Sequence, residues 1–266
     1  MTDAPASTPD ETAPAAPPLR PLGWSAPLHW LAAGARDLAA AWPLSLFFGL
    51  AFWCMAAAIG LVFRGRPEYT MTIVSGCFLV GPFLAMGLYE ASRRREAGLP
   101  PDFAASLTCW DRRIGSMAML VLVLLVLELL WGRASLVVFA VFFNTGMPST
   151  TGVVQAVFNP ENLEFVAAYA MVGGVFAAIV FSTCVISIPM ILDRDTDAIT
   201  AGLRSFQLVL GQPGVMLLWG ALIVALTLGA LLLPWALGLL VVAPWLGHAT
   251  WHAYRGAVGP SEPTAA

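Results

Sequence analysis

The chain contains no lysine. All 13 basic residues are arginine, set against 16 acids, and charged side chains fill only 11% of its 266 positions. A typical soluble domain carries about 25%. So little charge cannot solvate a globule of this length. The net charge of −3 also excludes the basic footprint of a nucleic-acid partner. Cysteine is scarce too. Cys54, Cys77, Cys109 and Cys184 form no CxxC pair, and each lies in or beside an apolar run, where a thiol behaves as a small hydrophobe. No disulfides and no paired-cysteine metal centre are expected. The sequence has no Walker loop, no dinucleotide fingerprint and no Ser-His-Asp order, so soluble-enzyme chemistry has no obvious home.

Apolar residue is abundant. The chain is 59% hydrophobic, with a mean hydropathy of +0.79. Its apolar runs are long and lack strict alternation, which favours membrane helices over a β-barrel. The fold class is therefore all-α, a polytopic membrane helix bundle. Crossing the hydrocarbon core takes about 20 apolar residues. Six spans meet that need, near Leu44–Phe63, Met71–Ala91, Gly115–Phe143, Phe165–Leu192, Gly214–Leu232 and Trp235–Tyr254. The third is long enough to tilt, or to break at Trp131-Gly132. Residues 1–26 read as a disordered tail rich in Pro, Ala and Thr, without the basic and apolar regions of a signal peptide. Residues 27–257 form the membrane domain, and 258–266 a flexible C-terminal tail.

Arginine placement orients the bundle. With both termini on one side, that side carries Arg20, Arg36, Arg93, Arg94, Arg95, Arg112, Arg113, Arg194, Arg204 and Arg255. The other side keeps Arg64 and Arg66, with Arg133 in or near the third span. The positive-inside rule then puts both termini on the cytoplasmic side of the membrane. The bilayer is an expected partner, and the sequence names no protein partner or oligomeric state.

An internal repeat runs through the chain. VGPFLAMGLYEASRR and VAPWLGHATWHAYR align at Pro82 and Pro244, and SIPMILDRDTDAI supplies a further copy at Pro189. A short amphipathic segment precedes each odd-numbered span: HWLAAGARDLAAAW, DFAASLTCWDRR and DAITAGLRSFQLVL. The expected fold is thus three units, each an interfacial helix followed by a two-helix hairpin.

The repeat organises the polar residues. Four and eight positions beyond the prolines lie Met86 and Glu90, Asp193 and Asp197, His248 and His252. Around a pseudo-threefold axis, Glu90, Asp197 and His252 would converge near the cytoplasmic face, with Asp193 and His248 one turn deeper. Imidazole with carboxylate suits a divalent metal, and histidine titrates near neutrality. The competing reading is structural pairing at the headgroup boundary. His248-x-x-x-His252 lacks the glutamate of a zinc-protease helix. No cofactor is expected, and a divalent metal or haem on these histidines is the alternative. Glu128 lies about 20 Å along its helix from Gly115. An acid there faces the bundle interior or water, and Arg133 follows at a poor spacing for an intrahelical pair. Arg93, Arg94 and Arg95 form a topology determinant that can also meet lipid headgroups.

At VGPFLAMGLYEASRR, LDRDTDAITAGLRS and APWLGHATWHAYR the chain resembles a bacterial family of predicted integral membrane proteins, a domain of unknown function. The resemblance extends from about Pro27 to Ala257. It implies a six-helix inner-membrane protein without an established activity. Some members carry a cytochrome c oxidase label, but two haems and a copper need more ligands than the three histidines here. The functional expectation is a transport-like or accessory membrane protein. A metal- or haem-associated respiratory accessory protein and a lipid-interacting scaffold are the alternatives.

Overall fold

The computed structural model describes residues 18–66, 69–143 and 162–259. The greater part of both expected tails, 1–17 and 260–266, lies outside the described residues. Ten α-helices follow in order among the described residues: α1 Ala26–Ala40, α2 Trp42–Gly65, α3 Thr70–Glu96, α4 Phe103–Thr108, α5 Ile114–Phe142, α6 Leu163–Cys184, α7 Ser187–Arg194, α8 Ala198–Gly211, α9 Pro213–Leu232 and α10 Leu239–Val258. No strand occurs among the described residues.

The order repeats. A helix too short or too amphipathic to span (α1, α4, α8) precedes a hairpin of long helices (α2–α3, α5–α6, α9–α10). Among the described residues five stretches are long and apolar enough to cross a membrane: Trp42–Gly65, Thr72–Glu96, Phe103–Phe142, Leu163–Arg194 and Pro213–Leu232. Their flanks carry exposed Leu61, Leu122, Val137 and Leu217. Such a surface is stable only against lipid. The protein is a multi-pass integral membrane protein.

The sixth expected span is a helix, α10, but falls outside that set. Its first half is apolar, whereas its second half carries His248, Thr250, His252 and Arg255. That polar half is covered by protein: His248, Trp251 and Tyr254 are wholly buried. The turn Pro234–Ala236 sends α10 back beside α9. The return is pinned at one end of the bundle. The Arg20 amide donates to the Ala257 carbonyl at 2.8 Å. Gln212, which opens α9, takes the Leu22 amide at 2.6 Å and donates to the Arg20 carbonyl at 2.9 Å. The start and end of the described chain therefore share an end with the beginning of α9.

Proline shapes the hairpins unequally. A helical proline loses its N–H bond and presses on the carbonyl four residues back. Pro82 and Pro244 sit inside continuous helices. At Pro189 the crowded carbonyl is that of Val185, and the chain breaks there into α6 and α7. The fourth expected span is thus two helices. Two buried serines stitch the break to its surroundings. Ser187 donates to the carbonyls of Thr183 and Ala201, and the Ile186 amide reaches Ser205 Oγ at 3.4 Å. Side-chain hydroxyls are a common way to satisfy backbone freed by a kink in a membrane. The third span, by contrast, runs unbroken through Trp131-Gly132 as α5.

Candidate functional site

α1 shows how the polar end is assembled. Its buried residues are Pro27, Trp30, Leu31, Gly34 and Asp37, one stripe at helical spacing. Trp30 meets Trp219 of α9 edge to face, with centroids 5.5 Å apart. The Trp245 indole donates to the Leu31 carbonyl at 2.8 Å. This packing drives the last residue of the stripe, Asp37, into the interior at 4% exposure.

Asp37 is the hub of a five-residue chain. His252 Nε2 lies 2.8 Å from its carboxylate, and Arg95 forms an ion pair with the other oxygen. Ser92 also hydrogen-bonds to it. Ser92 Oγ in turn lies 2.8 Å from His248 Nδ1, and Ser45 Oγ lies 2.9 Å from His248 Nε2. With its proton given to Asp37, Ser92 accepts from His248 Nδ1 and Ser45 donates to Nε2, so one tautomer of the neutral imidazole is satisfied on both nitrogens. The chain Ser45–His248–Ser92–Asp37–His252 thus ties α2, α10, α3 and α1 together. Burial pushes the Asp37 carboxyl up, but hydrogen bonds from His252 and Ser92 outweigh it and hold the group below the usual aspartate range.

The other expected site residues have separate partners. Glu90, buried, is gripped by Arg93 through two bonds of 2.7 and 2.9 Å. Asp193 accepts from the Tyr254 hydroxyl at 2.7 Å, and that hydroxyl accepts from Arg194 at 2.9 Å. Arg255 forks onto Glu96 at 2.7 and 3.0 Å and also reaches Asp193 at 3.4 Å. Asp197 is exposed and caps α8, taking the Ile199 and Thr200 amides at 2.9 Å. A hydrogen bond from the Thr200 side chain, and then those amide bonds, lower its carboxyl.

Glu90, Asp197 and His252 therefore share no direct bond. One turn earlier, Met86 and His248 are fully buried, and the Asp193 side chain is 5% exposed. No three His, Cys, Asp or Glu side chains among the described residues are grouped as metal ligands. The arginine run has inward work as well. Arg93 holds Glu90, Arg94 donates to the Pro100 carbonyl at 3.0 Å, and Arg95 holds Asp37.

Glu128 occupies different surroundings. It is 4% exposed, and its Oε2 accepts from Ser75 of α3 at 2.8 Å. Oε1 has no partner among the described residues. Arg133 is exposed and forms no ion pair with it among the described residues. Glu128 lines a cavity of about 950 Å³ walled by α3, α5, α6, α8 and α9. The wall is almost wholly apolar. Trp131, Phe176 and Phe181 supply its rings, and Gly173, Ala177 and Gly220 leave the room. A pocket of this size lies in the range of small-molecule sites, about 300–1,000 Å³.

Sequence reasoning missed Asp37, Ser45, Ser92 and Glu96. Asp37 had a signal: an acid seven positions after Trp30, on the apolar stripe of HWLAAGARDLAA. Ser45 and Ser92 had none, because serine is unremarkable in an apolar helix.

No curated protein and no solved structure matches the chain. A family model does, over a narrower stretch than the resemblance implied. It leaves out α1, α2 and the whole third unit, and with them His248, His252 and the string APWLGHATWHAYR. The matched stretch runs from the start of α3 to Asp193 in α7 and includes Glu90 and Glu128. Residues 70–193 match the family described as predicted integral membrane protein (DUF2189), the kind of family that the sequence resembles.

Proposed function

We propose that this chain is a bacterial inner-membrane protein with both termini in the cytoplasm, and that it acts as a transport-like or accessory protein by holding a ligand within the bilayer. One observation carries the reading: the cavity of about 950 Å³ among the spanning helices, with the buried acid Glu128 in its wall. An acid at membrane depth marks a substrate or proton path by default. The orientation is supported by ten of the 13 arginines falling on the side of the termini.

Orientation is checked by a reporter fused after Ala266. A reporter active only outside the inner membrane stays silent there, and one active only in the cytoplasm works. The reverse pattern refutes the orientation. The cavity is checked with dicyclohexylcarbodiimide, an apolar reagent that modifies carboxyl groups it can reach from lipid. Peptide mass analysis of the purified protein is expected to find the adduct on Glu128, and Glu128→Gln to abolish it. An unmodified Glu128 under conditions that modify exposed acids would sink the reading of an accessible ligand site.

A further inference from the structure

We propose that the Glu128 cavity takes a lipophilic cation, an apolar body bearing a single positive charge. The inference rests on the cavity being a ligand site and adds the chemistry of its occupant. Three features of the wall converge on that class.

The carboxyl is half-satisfied. Ser75 supplies one hydrogen bond, to Oε2, and Oε1 is buried with no partner among the described residues. A carboxylate in an apolar surround is costly unless a countercharge is brought to it. The wall itself brings none: no arginine lines the cavity among the described residues, and Arg133 is an exposed residue outside that lining. A neutral acyl chain would fill the volume and leave that oxygen unmatched. A cation would fill it and answer the charge.

The second feature is aromatic. Trp131 lies against Tyr169 at 5.1 Å and Phe176 at 5.7 Å between centroids. Trp131 and Phe176 line the cavity with Glu128, one turn of α5 separating Trp131 from the acid. Ring faces attract cations, more strongly where water is excluded. The third feature is room in the wall that holds the acid. A Cβ on Gly173 would come within 3.1 Å of the Trp131 ring, so glycine lets that indole lie close against α6. The atoms nearest a Cβ built on Gly220 belong to the Phe181 ring, at 3.6 Å or more, so a methyl would sit there in ordinary contact.

The test is equilibrium binding of radiolabelled tetraphenylphosphonium to the purified, detergent-solubilised full chain. The neutral isostere tetraphenylsilane serves as competitor. The cation is expected to bind saturably, with the silane at least about tenfold weaker, since only the charge differs. Glu128→Gln is expected to weaken the cation by at least about tenfold and to leave the silane unchanged. Ala177→Phe, which fills the cavity from α6 and keeps the acid, is expected to lose both. The comparison of cation with silane on the unaltered chain needs no variant, so it stands even if a substitution impairs folding. Equal binding of the two overturns the proposal in favour of a neutral occupant such as an acyl chain. No binding of either, with Glu128 still modified by carbodiimide, overturns the cation while leaving the ligand site. No binding and no modification removes both.

Discussion

Gly49→Ala is expected to unfold the bundle in detergent at markedly lower temperature than the parent. Pro244 has no N–H, so the Leu240 carbonyl one turn earlier in α10 loses its helical partner. Gly49 of α2 packs onto that carbonyl. A Cβ built there would lie 2.1 Å from the Leu240 oxygen and 2.9 Å from its carbon. Both atoms are backbone, so no rotamer can relieve the clash. Either α2 and α10 separate or the kink straightens. Overpacking of this kind costs about 1–3 kcal/mol, and a backbone clash sits at or above the top of that range. Gly60→Ala in the same helix is the control. Nothing lies within 4 Å of its added methyl, and alanine is the better helix former by up to ~1 kcal/mol. Unfolding midpoints of the two variants should therefore move in opposite directions. If Gly49→Ala matches Gly60→Ala, the close crossing of α2 and α10 is wrong.

Asp37→Ala is expected to cost about 2–3 kcal/mol and to loosen α1 from the bundle. The carboxylate gathers His252, Arg95 and Ser92. Its loss strands partners that lie partly inside the protein. Removing one member of a fully buried pair costs about 3–5 kcal/mol. The Arg95 side chain is 42% exposed, so water recovers part of that. Arg95→Ala should accordingly cost less than Asp37→Ala.

The same site predicts an acid dependence. The folded-state pKa of Asp37 is lowered. An unfolded aspartate titrates near ~3.9. The contribution is therefore complete above that value and is lost as pH falls through the lower, folded-state pKa. Between pH 7 and 3 the unfolding midpoint of the parent should fall on the acid side of about pH 4. Asp37→Asn should start lower and fall less. Parallel curves would mean that the carboxylate contributes nothing as an ion.

Some of this architecture was legible one stretch at a time. Helices that must cross about 30 Å of hydrocarbon announce themselves by composition. The six expected spans all appear as helices, with α2 and α9 within two residues of their expected ends. The order of a short amphipathic helix and a hairpin, three times over, was readable for the same reason: amphipathicity and turn chemistry are local.

What could not be read depends on how helices turn toward one another. Glu90 and His252 occupy matched positions, yet Glu90 folds back on Arg93 three residues away, while His252 crosses to Asp37, 215 positions distant. Asp197 was claimed by the first turn of its own helix, because bare amide groups at a helix start are the nearest donors an aspartate can find. Pro189 carries the same instruction as Pro82 and Pro244. Only there did the neighbours, Ser187 and Ser205, offer the freed backbone other bonds, and the helix broke.

By itself, then, the sequence determined a helical membrane protein, its threefold element order and the end at which its arginines gather. Those follow from transfer free energies that each segment carries alone. Tertiary structure decided which acid meets which base, and that Glu128 stands half-partnered in the wall of an apolar cavity. Both depend on the rotation of packed helices, where a side chain's partner is set by a neighbour remote in the chain.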